Sequence, residues 1–150
     1  PSNEQAITKI LEIKKRTLEM GFVLLTPNIE IVSSWVNMSN KQLKIFSSPS
    51  PRPTTYIVPA SNSAPKWLAV KNTLAIRLSD DPFIKNICGL LGLPIVSTSA
   101  NLHGENPCKS AEEVQKTMGS QLDYIVFKQT GPFNNPSTIV DLSSGKTIRP

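Results

Sequence analysis

Histidine, cysteine and aromatic side chains are scarce in this chain, and each scarcity removes a class of chemistry. Two cysteines, Cys88 and Cys108, make neither a disulfide framework nor a metal site, and both thiols fit a reducing cytoplasm. His103 is the one histidine, with no second His, Cys or carboxylate at ligand spacing, so no protein-held metal is expected. A Ser-His-Asp hydrolase would need that histidine, and no Gly-x-Ser-x-Gly elbow is present. The Gly-x-x-x-x-Gly-Lys phosphate loop and the Gly-x-Gly-x-x-Gly dinucleotide fingerprint are also missing. No apolar run approaches the length needed to cross a bilayer, so no membrane partner is expected, and no signal peptide is evident. Internal repeats and low-complexity tracts are absent too.

What remains is an ordinary globular composition. The 150 residues are 39% hydrophobic and 18% charged, enough for one domain with a real core. A net charge of +5 tilts the expectation toward an anionic partner, a nucleotide or RNA. The chain begins with Pro1 rather than a start methionine, so residues upstream are expected.

Periodicity predicts interleaved helices and strands. Ala6, Ile7, Ile10 and Leu11 form a helical stripe over Asn3 to Lys15, with Ser2 or Asn3 as the N-cap. Phe22 to Leu25 reads as a short strand, and Asn28 and Ser39 as N-caps of two short helices, Ser39 with Gln42 at capping-box spacing. Three prolines stiffen the loop Ser47 to Pro53. Strands are expected at Thr54 to Val58, Leu74 to Leu78, Tyr124 to Phe127, Thr138 to Leu142 and Lys146 to Ile148. Asp81-Pro82 opens a helix that should bury Phe83, Ile84, Ile87, Leu90 and Leu91, with Cys88 in the core. Ser110-Ala-Glu-Glu113 caps another that ends near Gly119. The pattern argues an α/β fold: one twisted mixed sheet flanked by helices.

The chain is organised around Pro94 to Asn101. Ile95 and Val96 predict a buried, central strand, after which Ser97, Ser99 and Asn101 recur at every second position and would share one face of an extended chain. Hydrogen-bonding groups at the exit of a strand are a common way to build a site; a Ser/Thr-rich turn capping its own backbone explains the same residues. Lys14-Lys15-Arg16 is likewise open. On a continuing helix Lys14 and Arg16 diverge, whereas past a helix end they can converge on phosphate oxygens; basic residues also favour helix C-termini for dipole reasons. Thr73, Ala75 and Arg77 share one face of their strand, leaving room for an anion, or forming an exposed edge. Ser137 stands at the mouth of the next turn, and Arg149 near the terminus carries no signal alone.

Taken together, these segments resemble the threonylcarbamoyl-AMP synthases, the YrdC- or TsaC-like proteins. Lys14-x-Arg16 and Thr98-Ser-Ala-Asn101 match their paired signature. Pro51-x-Pro53-x-Thr55, Thr73-Leu-Ala-Ile-Arg77, Asp81-Pro82, Ala111-Glu-Glu-Val114, Pro136-Ser-Thr-Ile-Val-Asp141 and Ile148-Arg-Pro150 follow in the family's order. The resemblance covers nearly the whole chain and implies a YrdC-like domain over residues 1–150 with a concave ligand-binding surface. It implies synthesis of L-threonylcarbamoyl-AMP and pyrophosphate from ATP, L-threonine and bicarbonate, with Mg2+ accompanying ATP, in a cytoplasmic protein. Partner proteins then transfer the threonylcarbamoyl group to tRNA adenosine. Carried over by position, Lys14, Arg16, Ser99 and Asn101 would form the catalytic set; Arg16, Thr73, Ser99 and Arg149 would bind ATP; and Arg77, Ser97 and Ser137 would bind threonine.

Departures from the family pattern qualify the match. Arg52 replaces a usual Gly, Leu25 stands where some relatives have a threonine-binding His, and the family's preceding helix and strand lie outside this sequence, so weak threonine binding by the chain alone is expected. Two rival readings are a non-catalytic module holding tRNA or double-stranded RNA on a basic concave surface, and a regulatory fragment that binds nucleotide without turnover.

Overall fold

The computed structural model describes residues 1–129, 131 and 135–150. Four helices, α1 (Glu4–Lys14), α2 (Asn40–Ser47), α3 (Pro82–Leu91) and α4 (Ala111–Met118), surround one sheet. Its strands are β1 (Val23–Thr26), β2 (Thr54–Pro59), β3 (Thr73–Leu78), β4 (Ile95–Ser97), β5 (Thr138–Asp141) and β6 (Thr147–Arg149). They pair in the order β4-β1-β3-β2-β5-β6. The β1–β3 and β2–β5 pairs are parallel and the others antiparallel, so the sheet is mixed as the interleaved pattern predicts.

Local chemistry sets the helix ends. Asn3 accepts the Ala6 N–H at 3.1 Å to cap α1, and Asp81 accepts from Phe83 and Ile84 at 2.8 and 3.3 Å to cap α3 ahead of Pro82. Ser39 and Gln42 form the full reciprocal capping box on α2. The box at α4 is split: Ser110 caps the Glu113 N–H, but the Glu113 carboxylate accepts from Lys109, one residue earlier than expected. Asn28 caps no α-helix; it accepts from Ile31 at the entry of a 3₁₀ segment, Glu30–Trp35.

Alternation along the strands separates two faces. Leu24, Leu74, Ile76 and Val58 face a core completed by Ile7, Phe22, Val32, Phe46, Leu68 and Leu142. The other face carries Val23, Thr55, Ile57, Thr73, Ala75, Arg77 and Ile139 into an open cleft.

Three expectations fail. Strand β4 is at the sheet edge, paired only with β1, so Ile95 and Val96 are half-buried rather than central. Residues 124–127 belong to no strand; Tyr124 is 81% and Phe127 68% exposed, because β-propensity without a partner strand makes no ladder. On α3 only Cys88 is fully buried, Ile84 and Ile87 are half-buried, and Phe83, Leu90 and Leu91 face outward, because the contact with β1 covers one narrow stripe of the helix. Smaller differences are one-residue shifts, as where β6 covers Thr147–Arg149.

Candidate functional site

The cleft has a volume of about 610 Å³ and opens on the uncovered face of the sheet. Its floor follows the strand registers. Val23 lies opposite Ser97 on one side and Ala75 on the other, and Ala75 lies opposite Ile57, giving a low, apolar centre. In the next row Leu25 pairs with Arg77, Thr55 with Ile139, and Ile139 with Arg149. Arg16, Arg77 and Arg149 line the cleft, and no Asp or Glu does so among the described residues. The field inside therefore favours an anionic occupant.

At one end, the chain reversal after α1 settles the open question about Lys14 and Arg16. Lys15 adopts a left-handed conformation (φ 46°), and the Lys15 and Arg16 N–H groups bond back to Glu12 and Leu11 carbonyls. The helix ends there, and both flanking side chains converge on residues 98–101. Arg16 donates to Thr98 Oγ1 at 3.3 Å and to the Met20 and Gly21 carbonyls, and its guanidinium lies 5.9 Å from the Phe22 ring centroid. Its buried Nε has no acceptor among the described residues. Lys14 is buried, and its ammonium bonds to the Ser99 carbonyl at 2.7 Å and to Asn101.

The predicted alternation of Ser97, Ser99 and Asn101 stops at the end of β4, where the Asn101 N–H turns back to the Ser99 carbonyl. Ser97 and Ser99 line the cleft. Asn101 instead ties the loop together: Oδ1 accepts from Ser99 Oγ at 2.7 Å and Nδ2 donates to the Glu105 carbonyl at 2.6 Å.

At the other end lies a second group of polar side chains. Thr55 and Ser137 are buried with their hydroxyls 2.8 Å apart, and Arg149, expected among the ATP ligands, instead holds the Ser137 carbonyl through Nε and Nη2 at this end. Arg77 lines the cleft beside them with no hydrogen-bond partner among the described residues. Burial presses its pKa down, and the nearby Arg149 charge adds to that pressure. A half-buried guanidinium without an acceptor among the described residues is suited to a carboxylate or phosphate. Thr73 lines the cleft one row beyond Ala75, on the side away from Arg77, its hydroxyl donating to the Val70 carbonyl at 2.8 Å.

A family model for Sua5/YciO/YrdC, described as telomere recombination, matches residues 1–150. The chain belongs to that family. The threonylcarbamoyl-AMP synthase of Photorhabdus laumondii is 39% identical to it over 153 residues, covering 99% of this chain and 80% of that protein. Among solved structures, P. abyssi Sua5 complexed with L-threonine superposes with a TM-score of 0.82 at 21% identity, covering 94% of this chain and 42% of that one. E. coli YciO gives 0.81 at 22% identity, with 99% and 74% covered. The present chain thus spans about two fifths of the P. abyssi chain, and these two likenesses establish the YrdC-like fold.

In this Sua5/YciO/YrdC domain, Thr55 and Thr98 are polar cleft residues to which the sequence alone assigned no role; Thr98 accepts from Arg16, and Thr55 faces Ser137. The Thr55 motif, Pro51-x-Pro53-x-Thr55, was legible, but the reason for the hydroxyl is its contact with Ser137, 82 positions away. Leu25 is buried beside Arg77, in the strand position where a histidine was considered. Among the described residues no cluster of His, Cys, Asp or Glu could hold a metal, and no helix is long and apolar enough to cross a membrane.

Proposed function

We propose that the domain is an L-threonylcarbamoyladenylate synthase. The observation that carries this reading is the division of one cleft, lined by no acid among the described residues, into two polar ends, with Arg16, Thr98 and Ser99 at one and Arg77, Arg149, Thr55 and Ser137 at the other. The first end suits a triphosphate. The second suits a small hydroxylated amino acid, its carboxylate on Arg77 and its hydroxyl near Ser137.

Threonine and bicarbonate condense to the N-carboxylate with loss of water. A carboxylate oxygen then attacks the α-phosphorus of ATP, the bond to the bridging oxygen breaks, and pyrophosphate leaves. No protein nucleophile is required; the enzyme aligns two anions and neutralises charge on the transferring and leaving groups. Arg16 supplies fixed positive charge at the phosphate end, and Ser97, Ser99 and Thr73 supply neutral contacts along the cleft. Cleft oxygens come from hydroxyls and carbonyls rather than carboxylates, so the residues do not build a magnesium cage. Magnesium would arrive as the counter-ion of ATP, with Ser99 at hand for its water shell. The product would serve transfer proteins that modify tRNA, in the cytoplasm. The alternative RNA-binding module draws no support from the cleft, where three arginines are set among small hydroxyls instead of forming a continuous track for a phosphate backbone.

The test is pyrophosphate release from ATP. Release should require L-threonine and bicarbonate together. Equal release with threonine omitted would refute the assignment.

A further inference from the structure

Lys14 is a buried lysine without a carboxylate. It is 5% exposed, although it ends a surface helix, and no salt bridge to it occurs among the described residues. Its ammonium has three protons and no capacity to accept. The Ser99 carbonyl at 2.7 Å, Asn101 Oδ1 at 2.5 Å and the Asn101 carbonyl take all three. Nothing is left to donate to a ligand.

Two of those acceptors belong to the peptides Ser99–Ala100 and Asn101–Leu102, both trans. A trans peptide points its N–H opposite its C=O. The Ala100 and Leu102 N–H groups are therefore directed away from the ammonium, and neither has an acceptor among the described residues. Further bonds lock the same loop, from the Cys108 N–H to the Ala100 carbonyl at 2.7 Å and from Ser99 Oγ to Asn101 Oδ1. Burial lowers the Lys14 pKa and Arg16 adds to the effect, against a smaller opposing influence of Cys108, as expected of a charge enclosed by the chain.

We propose that Lys14 is a positioning residue rather than a phosphate ligand. Its ammonium is the hub on which residues 98–102 are set, presenting Ser99 to the cleft in which the nucleotide would lie. The choice of nucleotide rests on the synthase reading above; the hub itself does not.

The experiment compares the wild-type protein with Lys14→Met, Lys14→Arg, Asn101→Ala and the Lys14→Met/Asn101→Ala double variant. Amide exchange of the ligand-free proteins is measured first. A hub predicts at least tenfold faster exchange at the Cys108 amide in both Lys14 variants, because a planar guanidinium cannot place three protons on acceptors converging at one nitrogen. Unchanged exchange overturns the hub. Should Lys14→Met fail to fold, Lys14→Arg carries the same measurement, since it keeps the charge but not the three-way convergence of protons. Threonine-dependent pyrophosphate formation is then followed. The hub predicts that kcat falls by about 10²–10³ in Lys14→Met with the KM for ATP moving less than about threefold, and that the double variant is no worse than the poorer single one. Multiplying losses, a raised KM for ATP and rescue by Lys14→Arg would identify a direct phosphate ligand and overturn the proposal. A wild-type protein without threonine-dependent turnover defeats the synthase reading, while the exchange measurement still decides the hub.

Discussion

Arg149 grips the backbone of Ser137 from the neighbouring strand: its Nε and Nη2 donate to the Ser137 carbonyl at 3.1 and 2.7 Å. The Ser137 hydroxyl is meanwhile held 2.8 Å from Thr55 Oγ1. A residue at the chain's end thus sets the height of a serine in the cleft. Arg149→Lys should raise the KM for threonine roughly tenfold or more, because one ammonium cannot reproduce the fork and charged hydrogen bonds contribute about 1.5–3 kcal/mol. Thr55→Val should act in the same direction without changing the KM for ATP. Initial rates at varied threonine and saturating ATP check both; a rise confined to ATP would place this end of the cleft wrongly.

Arg77 is half-buried with no acid beside it among the described residues, and burial and the Arg149 charge both work against its charged form. Arg77→Met should therefore melt at or above the wild-type temperature. It should also lose roughly 10- to 100-fold in kcat/KM for threonine, the scale of a charge-assisted hydrogen bond. Calorimetry and steady-state rates on one preparation test the opposition; a destabilised but fully active variant would contradict it.

Lys15 holds a left-handed conformation at φ 46°, while its side chain is exposed. That conformation costs a non-glycine residue roughly 1–2 kcal/mol. Glycine loses part of this gain through its freer unfolded chain. Lys15→Gly should stabilise the fold by about 1 kcal/mol, raising the melting temperature by roughly 2–4 °C, with turnover unchanged. Loss of activity would show that Lys15 itself belongs to the site.

Asp81 caps α3 and pairs with Lys128 at 2.8 Å. The Lys128 hydrogen bond chiefly holds its carboxyl below the ordinary range; burial opposes this, and the Phe83 and Ile84 N–H groups assist. A depressed folded pKa means that the unfolded chain takes up the proton first as pH falls. The stabilisation is complete above the unfolded value, near pH 4, and disappears as pH drops through the folded value. Asp81→Asn keeps the cap and removes the titration. Its melting temperature should converge on the wild type's in acid and fall below it near neutral pH. Parallel curves would exclude the linkage.

Helix caps and core strands were legible in the sequence because they depend on neighbours two to four residues apart. Asn3, Ser39, Asp81 and the alternation of Thr73, Ala75 and Arg77 against Leu74 and Ile76 all act at that range. The ordered motifs likewise allowed Arg16, Ser97, Ser99, Arg77 and Ser137 to be named as one site, since order survives without knowledge of contacts. Tertiary structure decided the rest. It put β4 at the sheet edge, because strand neighbours are chosen by pairing across the whole chain and not by apolar content. It left Tyr124 and Phe127 exposed, since propensity cannot supply a partner strand. It gave Thr55 its purpose through Ser137 and turned Lys14 inward onto Ser99 and Asn101, more than 80 positions away. A side chain's chemistry follows from its residue type, but which of its protons remain free for a ligand depends on the acceptors that folding brings to it.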